Sequence, residues 1–280
     1  MLFILGFVLL FVILGAFFYA VGPLLERLLA RLANRAAAFR YRDYLPVFVI
    51  IAVGIGAALV AGDAFIDLAE LVHAGSPELD HIDSEVHAWA RTAHTEGATT
   101  FFTLMTVIGN PVGLGLIVLI VSVAIALKRR WRWLAYVFLT CVVGGLLNLQ
   151  LKAWFARARP DLAEALRDAH GYSFPSGHAM GSTIVFGALA YVAFRVLKHW
   201  RARAAALSFA CTMIVAIAAS RIYLGVHWIS DIAAGIAAGA IWLAATTVAY
   251  ETSRRIRRVR ARGSQAPYDS DSASRASRGE

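Results

Sequence analysis

Charged residues are scarce in this chain, at 16% of 280 residues, whereas hydrophobic residues make up 59%. With a mean hydropathy of +0.65, this composition excludes an ordinary soluble globular domain. A transmembrane helix needs about 20 mostly apolar residues to cross the bilayer. Seven runs approach that length, at 2–21, 45–64, 111–127, 133–151, 179–197, 204–219 and 229–250. The sequence therefore predicts an all-α polytopic membrane protein with about seven transmembrane helices.

Cysteine is also scarce, and positive charge is missing ahead of the first apolar run. The two cysteines, Cys141 and Cys211, both fall inside apolar runs. We interpret them as small buried hydrophobic residues rather than as a disulfide or a metal pair. A signal peptide carries its basic residues before its apolar stretch, whereas here they follow it. The first run is therefore expected to remain as a membrane helix.

The net charge of +9 comes from basic residues in short segments between apolar runs. This distribution argues against a nucleic-acid partner, which would need one basic soluble face. The segments are 27–42, 128–132, 198–203 and 254–262. By the positive-inside rule all four are cytoplasmic, so the N terminus lies outside and the C terminus inside. The acidic connection 75–97 is then external.

Three regions follow from this layout. Residues 1–44 are expected to form an extra transmembrane helix and a cytoplasmic segment, either an amphipathic helix on the inner leaflet or a plain basic loop. Residues 45–252 form the membrane core, with short outer helices predicted over 82–93 and 98–109. Gly235 and Gly239 predict close helix packing. Residues 253–280 are predicted to be a basic and then disordered cytoplasmic tail.

Ionisable and polar residues form three clusters at the outer ends of the later apolar runs. Such residues are costly at membrane depth and tend to mark function. The clusters are Lys152 with Arg159 and Pro160; Pro175, Ser176, Gly177 and His178; and Ser220 and Arg221 with His227 and Asp231. All three lie on the outer side in the predicted topology, where neighbouring helices can bring them together.

The three cations Lys152, Arg159 and Arg221 need an anion, because like charges that are buried together are otherwise unfavourable. Phosphate is the natural candidate, since Arg and Lys both suit phosphoryl oxygens. Ser176 and Gly177 stand where a helix begins, and the free N–H groups there would cradle an anion.

Two histidines complete the chemistry. His227 and Asp231 are four residues apart, so that the carboxylate can reach the imidazole at a helix start and fix its tautomer. One ring nitrogen then remains free to attack. His178 is placed to protonate the leaving oxygen and later to activate water.

The three clusters resemble the three-part signature of the type-2 phosphatidic acid phosphatase family, which is related to the vanadium haloperoxidases. All parts are complete and in the family's order: Lys152-x6-Arg159-Pro160, Pro175-Ser176-Gly177-His178 and Ser220-Arg221-x5-His227-x3-Asp231. The resemblance implies a six-helix core with the active site at the outer membrane face, and makes the first run an addition.

The resemblance also implies residue roles. His227 would be the nucleophile that forms a phosphohistidine, Asp231 its support, and His178 the acid and base. The phosphate would be held by Lys152, Arg159, Ser176, Gly177 and Arg221. Ser220 belongs to the signature without a chemical step, and Arg157 and His170 match no position of it.

No cofactor or metal is expected, because Asp231 is the only carboxylate in the clusters and is committed to His227. The resemblance therefore implies a metal-independent lipid phosphatase in a bacterial inner (cytoplasmic) membrane, with membrane lipids and a lipid phosphate as its partners. Members of the family act on phosphatidic acid, phosphatidylglycerophosphate, undecaprenyl pyrophosphate or lipid A, and we expect undecaprenyl pyrophosphate or a phosphoglycerolipid. The shared signature reads only the phosphate, and oligomeric state is not encoded in it. Three other functions stay open: a lipid phosphotransferase using the same phosphohistidine, a vanadate-dependent haloperoxidase, and an anion transporter.

Overall fold

Every regular element in the part of the chain that the structure describes is an α-helix. The structure is a computed structural model, and it describes residues 2–35, 45–160, 165–167 and 170–278. The helices are α1 (Leu2–Arg35), α2 (Leu45–Ala74), α3 (Pro77–Thr92), α4 (Glu96–Gly109), α5 (Pro111–Leu127), α6 (Trp131–Phe155), α7 (Gly177–Val196), α8 (Trp200–Tyr223) and α9 (Ile229–Arg278). The all-α prediction is confirmed.

The number of membrane-spanning helices agrees with the prediction of about seven. Six helices are long and apolar enough to cross a membrane by themselves: α1, α2, α6, α7, α8 and α9. Helices α4 and α5 meet at a 58° bend and qualify together as a seventh span. The bend lies at Asn110, whose Oδ1 accepts the Gly113 N–H at 2.7 Å, and Pro111 has no N–H to continue the α4 ladder.

Two segments differ from the sequence-based expectation. Residues 24–32 continue α1, which contains Pro23, instead of forming a separate helix or a loop. Residues 263–278, whose composition predicts disorder, continue α9 as helix.

Helix α7 lies at the centre of the bundle and packs against α6, α8 and α9, while α1 packs along α8 and α2 along α9. The backbones of α7 and α9 approach closely. A Cβ at Gly235 would lie 2.7 Å from the Ser176 carbonyl oxygen, and one at Gly239 would lie 2.9 Å from that of Met180. The predicted close packing at these two glycines is therefore confirmed.

The predicted clusters lie at one end of this bundle. The C-terminal ends of α6 and α8 meet the N-terminal ends of α7 and α9 there, since consecutive spans run in opposite directions. Helix α3 contacts α8 and α9 at the same end. Ser76 caps α3, and its Oγ accepts the Leu79 N–H at 3.3 Å.

Candidate active site

The turn before α7 is anchored to α9. Phe174 is fully buried, with its ring centroid 4.8 Å from that of Phe155. The Ser176 N–H donates to the Asp231 carbonyl at 3.0 Å, and α7 begins at the next residue, Gly177. A Cβ on Gly177 would lie 2.9 Å from Asn148 Oδ1. The glycine thus favours a close approach of α6 to the start of α7, where the first N–H groups of the helix have no intrahelical partner.

His227 is held from both sides. Its Nδ1 lies 3.0 Å from Asp231 Oδ2, and its Nε2 lies 3.1 Å from Arg159 Nη1. Arginine is always a donor, so Nε2 accepts and the proton resides on Nδ1, which donates to Asp231. The second hydrogen bond to Asp231 Oδ2 comes from the Trp228 N–H at 3.0 Å. The predicted pair of His227 and Asp231 is thus assembled, with the proton on the ring nitrogen that faces the carboxylate.

The imidazole of His227 is kept neutral. Burial, followed by the positive charges of Arg221 and Arg159, lowers the pKa of His227 well below its ordinary value. A neutral imidazole with its proton on Nδ1 has its lone pair on Nε2, the state that a nucleophile needs.

Arg159 and Lys152 are fixed by backbone carbonyls of the segments before α7 and α9. Arg159 donates to the Gly171 carbonyl at 3.0 Å and to the Val226 carbonyl at 2.8 Å. Lys152 Nζ donates to the Tyr172 carbonyl at 2.7 Å. These hydrogen bonds hold both cations near each other without neutralising their charge, because the acceptors are uncharged carbonyl groups.

Arg221 and Ser176 carry buried donors that have no partner among the described residues. Arg221 is 6% exposed and donates from Nη1 to Thr106 Oγ1, while its Nε has no partner. Ser176 is fully buried, and its Oγ has no partner either. Unsatisfied buried donors are costly, so both indicate a ligand that accepts hydrogen bonds. Ser220 is also buried but donates to the Ile217 carbonyl at 2.6 Å, as a structural residue does.

These groups share one cavity of about 760 Å³. Its polar end is lined by Lys152, Arg159, Gly177, His178, Arg221 and His227. Its other walls are mostly apolar and come from α5, α6 and α7, including Leu114, Val118, Leu146, Leu149 and Ile184. Ser176 and Asp231 lie behind this surface. The structure therefore brings together all the site residues that the sequence predicts.

The sequence did not predict the role of Arg157, which lies inside the site region. Its guanidinium donates to Asp231 Oδ1 at 3.0 Å, to Ser230 Oγ at 2.7 Å and to Asp83 Oδ2 at 2.8 Å. No fixed spacing connects Arg157 to the aspartates, so only the tertiary fold shows these contacts.

The inward face of α3 carries an acidic residue that the sequence pattern did not mark. The helix is present, and its apolar residues Ile82 and Trp89 are 51% and 63% exposed. Asp83, by contrast, is only 2% exposed. It turns inward because it pairs with Arg157 and caps α9, where the Ser230 N–H donates to Asp83 Oδ1 at 3.0 Å.

Comparison with known proteins agrees with this geometry. A crystal structure of a transmembrane PAP2 type phosphatidylglycerolphosphate phosphatase from Bacillus subtilis matches with a TM-score of 0.62 and 26% identity, over 68% of this chain and 94% of that chain. Residues 132–255 match the sequence profile of the PAP2 superfamily. Over these residues the chain resembles the PAP2 superfamily. The family resemblance drawn from the three clusters is confirmed, and the matched residues contain every one of them.

Two curated relatives of this superfamily share sequence with the chain. Phosphatidylglycerophosphatase B of Bacillus subtilis (strain 168) is 37% identical over 98 residues, which are 34% of this chain and 46% of the relative. Lipid A 1-phosphatase of Rhizobium johnstonii is 34% identical over 125 residues, 41% of this chain and 47% of the relative. The chain thus spans about half the length of each curated relative.

Proposed function

We propose that this protein is a metal-independent lipid phosphatase that works through a phosphohistidine. One observation carries the proposal: three fixed cations surround His227 at the polar end of a cavity whose other walls are apolar. Clustered cations that have no carboxylate partner among the described residues fit an anion. A neutral imidazole, positioned by Asp231, supplies the nucleophile.

In the first step, His227 Nε2 attacks the phosphorus and the bond to the lipid oxygen breaks. A phosphate oxygen is a stronger acceptor for the Arg159 donor than a neutral imidazole is, so substrate binding frees the Nε2 lone pair. The Nδ1 proton stays with His227 and is stabilised by Asp231. His178 gives its proton to the leaving lipid oxygen.

In the second step, water replaces the enzyme as the phosphorus ligand. His178, now without its proton, takes a proton from water while the water oxygen bonds to phosphorus. The phosphorus–Nε2 bond breaks, and its electron pair returns to His227. Lys152, Arg159, Arg221 and the N terminus of α7 stabilise the charge on the phosphoryl oxygens throughout.

The apolar part of the cavity favours a lipid as the remainder of the substrate. The two relatives are named for different lipids, phosphatidylglycerophosphate and lipid A, which share a phosphate on a membrane lipid. We therefore propose a phosphate monoester or pyrophosphate of a membrane lipid as the substrate class. Phosphatidylglycerophosphate, phosphatidic acid and undecaprenyl pyrophosphate are the first to assay.

The proposed location is a bacterial inner membrane with the site on the outer side. The basic segments at 128–132 and 198–203 follow α5 and α7, at the end opposite to the site. The positive-inside rule places that end in the cytoplasm.

A purified-protein assay tests the function. The protein in detergent is incubated with each candidate lipid, with and without a chelator, and free phosphate is measured. Wild type is expected to release phosphate without an added acceptor and in chelator, while His227→Ala loses at least about 1,000-fold of the rate. His178→Ala is expected to lose about 100- to 10,000-fold, the range of a general acid–base contribution.

Each outcome separates one alternative. Phosphate release that requires a second lipid alcohol would indicate a phosphotransferase. Loss of activity in chelator would contradict the metal-independent mechanism. Anion transport that persists in His227→Ala, without hydrolysis by wild type, would replace the enzyme with a transporter.

A further inference from the structure

Arg157 joins α3 and α9 at the back of the site. Its Nη1 donates to Asp231 Oδ1 at 3.0 Å and to Ser230 Oγ at 2.7 Å, both in α9. Its Nη2 donates to Asp83 Oδ2 of α3 at 2.8 Å. The Arg157 side chain is only 13% exposed. The planar guanidinium thus binds two carboxylates at once, which a lysine ammonium would match poorly.

The contacts of Asp231 are divided between its two oxygens. Oδ1 faces Arg157, and Oδ2 accepts from His227 Nδ1 and from the Trp228 N–H, each at 3.0 Å. Oδ1 also lies 3.5 Å from the Ser173 hydroxyl, a longer contact than the one to Arg157. Arg157 is thus the only charged donor to Asp231 among the described residues apart from the His227 pair, and it helps to fix how the carboxylate meets the imidazole.

Asp83 holds Arg157 in this position from the opposite side. It is 2% exposed, and its oxygens also accept the N–H and the hydroxyl of Ser230, at 3.0 and 2.6 Å. Without Arg157, two buried carboxylates would face each other with no cation between them, an arrangement that is strongly unfavourable.

We propose that Arg157 and Asp83 are positioning residues for catalysis, so that α3 acts on the nucleophile through the chain of contacts from Asp83 to Arg157, Asp231 and His227. Neither residue lines the cavity, and neither touches the reacting atoms. The proposal rests on the proposed function, in which His227 is the nucleophile. It assigns a catalytic task to a helix outside the three sequence clusters.

The test compares four variants with wild type: Arg157→Gln, Arg157→Lys, Asp83→Asn and the double variant Arg157→Gln/Asp83→Asn. Asp80→Asn is the matched control, because Asp80 also faces Arg157 from α3, at 3.7 Å, but is 65% exposed. Such exposed pairs contribute little. Size-exclusion profiles and Tm values in detergent show which variants are folded.

The readouts are kcat, KM, and the Kd of vanadate and of inorganic phosphate measured by calorimetry. Bound vanadate resembles the five-coordinate transition state with a bond to His227 Nε2, so its Kd depends on the position of the imidazole. The Kd of phosphate depends only on the cations. Arg157→Gln and Asp83→Asn are expected to lower kcat by about 10- to 100-fold, as loss of an outer partner typically does. The vanadate Kd should rise in parallel, while KM and the phosphate Kd stay within about 3-fold.

The conservative and double variants sharpen the test. Arg157→Lys should show most of the decrease in kcat that is expected for Arg157→Gln, because an ammonium cannot bridge both carboxylates. The double variant should be no worse than the poorer single variant, since both act through one contact chain. Asp80→Asn should stay within about 2-fold of wild type.

Folded Arg157→Gln and Arg157→Lys with wild-type kcat and vanadate Kd would overturn the proposal. So would equal changes in the Kd of phosphate and of vanadate, which would indicate a merely structural role. If wild type hydrolyses no lipid, the proposed function fails separately. The vanadate measurement still decides the positioning role in that case, because it needs binding alone.

Discussion

At the residue scale, His227 combines full burial with a surplus of nearby positive charge. Its ring accepts from Arg159 on one side and donates to Asp231 on the other. The lowered pKa of His227 keeps the ring neutral in the folded protein at a pH where a free histidine is half protonated. Burial of His227 therefore has a cost in stability at acidic pH.

That cost leads to a prediction for His227→Gln. Above pH 6.5, the approximate pKa of an unperturbed histidine, the ring is neutral in both the folded and the unfolded protein. It then adds no pH dependence to the free energy of unfolding. Below it, the unfolded chain binds a proton that the folded chain does not, so the wild type loses stability as pH falls. The wild type should lose more stability than His227→Gln as pH falls from 6.5 to 5, on the order of 1 kcal/mol per pH unit. Tm values of both proteins between pH 7.5 and 5 measure this, and parallel curves would contradict it.

The unpartnered hydroxyl of Ser176 gives a second prediction at this scale. Ser176→Ala removes a buried donor that bonds to no described residue, so its Tm should stay within about 2 °C of wild type or rise. If the hydroxyl binds the phosphate, a hydrogen bond to a charged group worth about 1.5–3 kcal/mol is lost. Phosphatase assays should then show kcat/KM about 10- to 100-fold lower.

Ser208→Ala is the matched control for this variant. Ser208 is equally buried in α8, but its Oγ donates to the Ala204 carbonyl at 2.8 Å. Its loss should lower the Tm and leave kcat/KM unchanged. The reverse pattern in the two serines would remove Ser176 from the phosphate site.

The sequence predicted the cavity-lining cations and histidines because each has a strong signal of its own, an ionisable group at the end of an apolar run. Asp231 was found through its fixed spacing from His227. Arg157 and Asp83 gave no such signal. They are 74 residues apart, and an aspartate on a short outer helix is most simply read as solvated. Their pairing depends on the angle at which α3 meets α9, which no local pattern encodes.

At the element scale, the apolar part of the cavity between α5, α6 and α7 has one open position on α6, at Gly145. A Cβ at Gly145 would meet no atom within 4 Å, yet Gly145 lines the cavity. A leucine at this position would fill space that a lipid chain needs. It would leave the cations unchanged, because they lie at the other end of the cavity.

We therefore predict that Gly145→Leu separates lipid binding from phosphate chemistry. KM for a long-chain lipid phosphate should rise at least about 10-fold, as the loss of a few buried methylene contacts implies. KM and kcat for a short water-soluble phosphate ester should stay within about 2-fold. Gly62→Leu, on α2 with no atom within 4 Å of its Cβ and outside the cavity, is the control. Equal effects on both substrates would mean that this part of the cavity is not the chain-binding surface.

The helices themselves were predictable, because apolar runs of membrane length leave few alternatives to a helix. The residues at which the helices begin and end were harder to predict. The bend at Asn110 was expected as a break, but its 58° angle results from how α4 and α5 pack on their neighbours. The continuation of α1 through Pro23 shows that a proline signal alone does not end a helix in this environment.

At the scale of the whole molecule, sidedness is the remaining proposal. We predict that an impermeant maleimide labels Ser84→Cys in intact cells and labels Arg129→Cys only after permeabilisation. Both positions are exposed, one on α3 at the site end and one in the turn between α5 and α6. The background carries Cys141→Ser and Cys211→Ser to remove the native thiols. Labelling in the opposite order would invert the topology and place the site in the cytoplasm.

The cradle around Ser176 and the three cations has a consequence for regulation. In the proposed function it contacts phosphoryl oxygens alone, so it would not distinguish an esterified phosphate from the orthophosphate that hydrolysis leaves behind. The product would then leave from the same donors that bound the substrate, and free orthophosphate would compete for them. Turnover should therefore slow as orthophosphate accumulates in the compartment that the cavity faces. Product inhibition would then limit the rate at which the lipid is dephosphorylated.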